Sequence, residues 1–388
     1  MRRFEFEEGG SSKFWEIDQK GSEFTVRFGR KGTDGQAKTN TCGSADEAMA
    51  EVAKLIREKT KKGYQEIGAP GAAVEKALKR PTVYSNLEHP THFANYALVD
   101  FDPEEGGLKD LDRKAYAVRT DYDGGADDFA AKLDALLDDP KISQLKALVI
   151  GQWDETSEDG PRIAIDKLIA AKDRLTSLTA LFLSDLIQEE SEISWTHNCD
   201  LTPLLNAFPK LEELVTRGGE GLSFPKLKHA NLRTLIVQSG GLPAQCVRDL
   251  AASDLPQLER AVLWLGTDNY GGDAKVEDLK PILDGKVWPK LEYLGLMNSE
   301  ITNDIARAVV TAPILARIRA LDLSMGTLND EGGLALLGCA AIKKLKFLNL
   351  RRHYLSPEIM AKLKKLGIEV DVSDREEDDE YISCEVSE

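Results

Sequence analysis

The chain has 388 residues, 42% of them hydrophobic, with 50 Lys+Arg against 66 Asp+Glu and a net charge of −16. This is long enough for more than one domain and a sizeable core, and no run approaches the ~18 apolar residues of a membrane span. The charge is uneven, net +1 over residues 1–66 and −17 over the rest; an acidic body repels nucleic acid and anionic membranes at long range, so any nucleic-acid contact is expected in the N-terminal part.

Five cysteines (Cys42, Cys199, Cys246, Cys339, Cys384) are scattered, odd in number and never paired as C-x-x-C. That argues against a disulfide framework and a structural zinc site, and a reduced, cytoplasmic protein is expected. Along the chain, Lys13–Asp18 and Phe24–Phe28 alternate apolar and polar residues around the turn signal Gln19-Lys20-Gly21-Ser22, which predicts a β-hairpin. Residues 28–35 form a Gly-rich turn and 36–41 a third strand. Ser44 as N-cap and Glu47 at N3 form a capping box for a helix with the apolar stripe Ala48, Val52, Leu55 and Ile56. Lys59, Lys61 and Lys62 follow near its C-terminal dipole, before Gly63 stops it.

This stretch resembles the WGR domain, a small sheet-plus-helix module. The matching residues are Lys13-Phe14-Trp15-Glu16-Ile17, the turn Gly29-Arg30-Lys31-Gly32-Thr33-Asp34-Gly35-Gln36, and Lys59-Thr60-Lys61-Lys62-Gly63-Tyr64. Phe28 stands at the eponymous Trp position. In poly-ADP-ribose polymerases the domain grips DNA near a strand break. Carried over, the resemblance implies that Phe28 stacks, that Arg30 contacts phosphate, and that Lys31, Lys59, Lys61 and Lys62 add positive charge. Base stacking is worth ~1–3 kcal/mol and tolerates Phe, though less well than Trp. A structural role fits the same residues: Phe28 in the core, Arg30 solvated, the lysines closing a helix.

Residues 67–113 carry turn and linker signals, including Gly68-Ala69-Pro70-Gly71 and Asp102-Pro103-Glu104-Glu105-Gly106-Gly107, and are expected to be a partly ordered connector after a domain ending at residue 66. Asp121-Tyr122-Asp123-Gly124-Gly125 is better read as an acidic turn than a calcium loop, because Lys132 stands where an EF-hand needs a carboxylate. Ala115–Arg119 predicts a strand and Ala126–Leu137 an amphipathic helix, together the cap of a repeat array.

That array spans residues 114–373. Leu291-Glu-Tyr-Leu294-Gly-Leu296 recurs at Ile318–Leu323 and Leu345–Leu350, each step 27 residues, and L-x-x-L-x-L at fixed period marks a leucine-rich-repeat solenoid. Earlier strand phrases begin at Leu145, Leu178, Leu211, Leu232 and Leu258, and Ile368–Val372 closes the series. Helices are predicted at 163–172, 200–208, 243–252, 276–283, 303–311, 331–337 and 357–365. Strand plus helix per unit is similar to the ribonuclease-inhibitor type, an α/β solenoid with concave strands and convex helices. Glu192-Ile193-Ser194-Trp195, Gly266–Asp273 and His353-Tyr354-Leu355 resemble an uncharacterised bacterial leucine-rich-repeat family often found beside or fused to WGR domains, from which no activity carries over.

The segments just past the strand phrases should line one rim. There Trp153, Asp185, Glu190, Glu192, Arg217, Trp264, Asp268, Tyr270, Asn298, Arg351, Arg352, His353 and Tyr354 are the candidate partner-binding residues, since aromatic and Arg anchors dominate interfaces. Turns and core filling account for the same residues. Residues 374–388 are expected to be a solvated acidic tail. The chain has no G-x-G-x-x-G, P-loop, H-E-x-x-H or G-x-S-x-G motif. No catalytic residue, metal or cofactor is therefore expected. The reading is an interaction adaptor: the solenoid binds a protein partner with a basic surface and the WGR module contacts DNA or RNA. The alternative is an inhibitor, immunity-type or scaffold protein in which both modules bind proteins only.

Overall fold

The structure, a computed structural model, describes residues 2–8, 11–31, 33, 35–44, parts of 48–62, 64–67, 78, 80–82, 84–120, 124–153, 160–377 and 382–387. Glu47 of the expected capping box, Lys61, residues 121–123 and the acidic residues 378–380 lie outside them. The chain divides into two compact units, residues 1–77 and 78–388.

In the first unit, β1 (Arg2–Glu8), β2 (Ser11–Lys20), β3 (Glu23–Arg30), β4 (Gln36–Thr41) and β5 (Gln65–Ile67) form one antiparallel sheet in the order β4-β3-β2-β1-β5. The expected hairpin and third strand are β2, β3 and β4; β1 and β5 extend the sheet beyond them. Period-2 alternation puts Phe4, Trp15, Ile17 and Phe24 on one face, where Ala48, Val52, Leu55 and Ile56 pack against them. That stripe lies on the expected helix, whose backbone is helical at Ala48, Glu51, Val52, Lys54, Leu55, Ile56 and Lys59.

The second unit is a twelve-stranded sheet whose strands lie side by side in chain order, β6 (His92–Phe93) to β17 (Glu369–Asp371). All neighbours are parallel except β6 and β7 (Tyr96–Asp100). Residues 92–100, expected in a connector, thus supply the first two strands, and the sheet begins well before residue 114. Then come β8 (Lys114–Val118), β9 (Ala147–Ile150), β10 (Ala180–Leu183), β11 (Glu213–Arg217), β12 (Thr234–Gln238), β13 (Arg260–Gly266), β14 (Tyr293–Ser299), β15 (Ala320–Asp322) and β16 (Phe347–Asn349). Each strand from β9 to β16 starts two residues after its predicted phrase, because the phrase's first leucine closes the preceding turn. Helices α1 (Ala126–Leu137), α2 (Arg162–Ala170), α3 (Thr202–Ala207), α4 (Ala244–Ala251), α5 (Val276–Leu283), α6 (Thr302–Val309), α7 (Asp330–Gly338) and α8 (Pro357–Leu363) alternate with the strands.

One repeat equals one step of register. Ala147, Ala180, Glu213, Thr234, Arg260, Tyr293, Ala320, Phe347 and Glu369 form a single cross-strand row. Alternate strand residues such as Leu148, Leu181, Leu214 and Leu235 point to the helices and build the main core, each worth roughly 1.5–3 kcal/mol when buried. The residues between them point to the opposite, helix-free face, where Val149, Phe182, Val215, Ile236, Val262 and Trp264 form a second apolar cluster.

Candidate functional site

In the first unit the register aligns Phe4, Trp15 and Phe28 in one cross-strand row. Phe4 and Trp15 are buried at 1% and 3% exposure, whereas Phe28 is 43% exposed. Beyond it the chain turns sharply. Gly35 sits at φ +66°, and a Cβ there would lie 2.6 Å from Phe14 Cζ, so only glycine lets the turn close over the Phe14 ring. The Thr33 hydroxyl donates to Arg30 O at 2.8 Å and fixes this turn. Phe28, Arg30, Lys31 and Lys62 are thereby all exposed. Lys59 is placed differently: its ammonium stands 5.5 Å from the Trp15 ring centroid and 5.0 Å from that of Tyr64, where it braces the core.

The helix-free face of the second unit is crossed by the chain itself. Tyr84 O accepts from Gln238 Nε2 at 2.6 Å, Ser85 O from Arg217 Nη2 at 2.8 Å, and Asn86 O from the Gln188 N–H at 2.7 Å. His89 then bridges two carboxylates, Asp185 at 3.0 Å and Glu190 at 3.1 Å. Asp185 also receives Arg119, and Arg217 spans Gln238 Oε1 and Leu186 O. Burial works against the Asp185 charge, but His89, Arg119 and Arg217 outweigh it and hold its carboxyl below the usual range. Burial pulls Arg217 down to about 10, still cationic at neutral pH.

For His89, burial opposes the charge, yet the two carboxylates win and raise its pKa to about 9. A histidine raised from ~6.5 when unfolded stabilises the fold fully below pH ~6.5 and loses that contribution as pH climbs to about 9. We expect the melting temperature to fall between pH 6.5 and 9 and this slope to flatten in His89→Gln. Parallel profiles for the two proteins would exclude His89 as the titrating group.

These contacts redefine the expected partner-binding set. Asp185, Arg217, Asn298 and His353 are fully buried, and Trp153, Trp264 and Tyr354 nearly so. Polar character at a strand exit here serves internal bonding: His353 Nδ1, for example, accepts from the Leu355 N–H at 2.9 Å. Arg351 and Arg352 are half-buried and bonded to Glu385 and Ser383. Glu190, though partly accessible, is held by His89. Glu192, Asp268 and Tyr270 retain accessible surface. Trp195, in the Glu192–Trp195 segment that the sequence singles out, is the most exposed aromatic among the described residues, at 65%. It follows Glu192 in a loop joined to the Asp268–Tyr270 turn through glycines: a Cβ on Gly240 would lie 3.3 Å from Ile193 Cγ2, and one on Gly241 only 1.9 Å from Tyr270 O. Trp195, Glu192 and Asp268 therefore share one edge of the sheet. Among the described residues no cluster of three or more His, Cys, Asp or Glu could hold a metal, and no helix is long and apolar enough to cross a membrane.

Residues 1–70 match the WGR domain family. Two Escherichia coli K12 proteins share that part: the uncharacterized protein YfeS, 38% identical over 65 residues, and protein YehF, 39% identical over 66 residues. Each match covers 17% of this chain, and 27% of YfeS or 24% of YehF, so the chain spans about a quarter of the length of these curated relatives. A crystal structure of a Bacteroides fragilis protein, a structural-genomics target, is similar over 99% of both chains, with 34% identity and a TM-score of 0.64. The identity and the coverage together show that the chain belongs to the same family as that Bacteroides fragilis protein, and it carries a WGR domain at its N-terminus.

Proposed function

We propose that the protein is a non-enzymatic adaptor whose WGR domain contacts nucleic acid while its second unit, read as a leucine-rich-repeat solenoid of ribonuclease-inhibitor type, holds a protein partner. The observation that carries the first half is the aromatic row ending in an exposed Phe28, flanked by exposed Arg30 and Lys31. An aromatic face beside cations is what stacking on a base and pairing with phosphate require, and WGR domains are in general of nucleic-acid-binding type. The 27-residue phrases and strict strand order support the solenoid reading. For the partner we favour the edge formed by Trp195, Glu192 and Asp268, whose acidity suits a basic protein surface. The five free cysteines fit a reducing, cytoplasmic setting.

Fluorescence anisotropy with nicked, blunt and single-stranded DNA and with RNA, at low and physiological salt, tests the first half. Phe28→Ala with Arg30→Ala should weaken binding by at least ~30-fold, the sum of one stacking and one phosphate contact at ~1–3 kcal/mol for the stack, and wild-type binding should weaken with salt. An absence of binding at low salt would leave a protein-only scaffold, which the acidic body favours.

A further inference from the structure

Residues 374–388 do not form a wholly solvated tail, because segment 382–387 is seated on the helix-free face of the second unit. The Tyr354 hydroxyl accepts from the Ser383 N–H at 3.0 Å and donates to Ser383 O at 3.1 Å, and Arg352 donates to the same carbonyl. The Glu385 N–H donates to Met325 O at 2.8 Å, and the Glu385 carboxylate takes the Arg351 guanidinium fork at 3.0 and 3.1 Å. Asn298 reads the Val386 peptide unit from both sides: its Oδ1 accepts from Val386 N–H at 2.9 Å and its Nδ2 donates to Val386 O. Val386 is 7% exposed and belongs to the apolar cluster of Trp264, Met297 and Met325.

The seat is built into the repeat. Asn298, Met325 and Arg352 occupy equivalent positions one unit apart, three residues beyond the paired Gly295, Asp322 and Asn349. All three have positive φ, 49°, 69° and 55°. Such left-handed non-glycine residues are uncommon and concentrate where a fold clamps a ligand. Here the bend at each strand exit turns one group, an amide, a carbonyl or a guanidinium, toward the segment. Residues 383 to 386 thus cross consecutive units while their backbone bonds are met by groups the array supplies. Main-chain bonds with side-chain pockets between them are the logic of extended-peptide recognition.

We propose that this surface recognises an extended peptide in which a carboxylate residue directly precedes a β-branched aliphatic one, and that segment 382–387 is its built-in occupant, displaced when such a peptide arrives from another molecule. A short tether gives an internal ligand an effective concentration of order millimolar, so the resident segment screens out weak competitors. The far end of the segment reaches the Trp195 edge, since a Cβ on Gly240 would lie 2.4 Å from Ser387 O and 3.3 Å from Ile193 Cγ2, but the bonds that seat residues 383–386 come from Asn298, Met325, Arg351, Arg352 and Tyr354, so either proposal can fail alone.

The test uses the full chain with its own segment disabled by Glu385→Arg and Val386→Asp, and as probe a fluorescein-labelled synthetic peptide of residues 381–388. The disabled chain should bind the probe at least tenfold more tightly than wild type, and a probe carrying the same two changes should bind neither. Adding Asn298→Ala to the disabled chain should abolish binding. Cys384, 4% exposed with burial pushing its thiol up to about 12, reports the seat independently: its alkylation, read by peptide mass, should accelerate at least tenfold in the disabled chain. Unchanged Cys384 protection would show that these contacts do not hold the segment. Fast alkylation without probe binding would show that the surface is no peptide site, and equal affinity of wild-type and disabled chains would overturn the idea of a resident occupant.

Discussion

Arg217→Ala should lower the stability of the second unit by ~3–5 kcal/mol, the cost typical of removing one member of a buried ion pair. The side chain is fully buried and spans strand exit and crossing segment together. Its loss leaves Leu186 O, Ser85 O and Gln238 Oε1 without their donor and takes one cation from the buried Asp185. An unpaired buried acceptor alone costs ~1–3 kcal/mol. The melting temperature should fall by roughly 10 °C. Lys167→Ala is the control, because its pair with Asp134 lies at the surface and should matter by no more than ~1 kcal/mol. Equal effects for the two variants would show that the Asp185–Arg217 cluster contributes nothing beyond an exposed pair.

Trp288→Ala should cost a similar ~3–5 kcal/mol through the cavity it opens. Trp288 is 1% exposed, packs in the main core, and donates its indole N–H to Ser253 Oγ at 3.0 Å. It is also held at φ +53°, which costs an L-residue roughly 1–2 kcal/mol and glycine almost nothing. Trp288→Gly should therefore be no less stable than Trp288→Ala, the reverse of the usual order outside turns. Urea melts of the two variants decide this: a glycine variant weaker by 1 kcal/mol or more would show that the left-handed backbone carries no strain.

What was legible in the sequence was whatever repeats. The leucine phrases locate strands and helices to within a residue or two from β9 onward because each unit meets the same neighbours in the same register. The phrase aromatic-Pro-Lys-Leu recurs at 208–211, 224–227 and 288–291, and each aromatic is buried; that recurrence would have identified Trp288 as core. What stayed illegible was the purpose of the strand-exit polar residues. Asp185, Arg217 and Asn298 look like an outward recognition surface because nothing near them in sequence needs them. Their partners are Ser85, His89 and Val386, between 88 and 132 residues away, and no local pattern encodes a bond of that span. Of the tryptophans past the strand phrases, Trp153 and Trp264 are buried and Trp195 is exposed, a difference that no local pattern encodes.

The crossing segment has a consequence for how the molecule assembles. Strands that pair only with their successors could zip up one after another and fray from either end. Yet Arg80 bonds to Glu369 on β17, 289 residues later, and its guanidinium lies 3.6 Å from the centroid of the Phe347 ring on β16, while by His92 the chain has entered β6 at the opposite edge of the sheet. The earliest-synthesised stretch of this unit must wait for the last strand before it finds its partner. Such long closures add little to the entropy cost but slow the search. Once made, this closure links the first stretch of the unit to its last two strands.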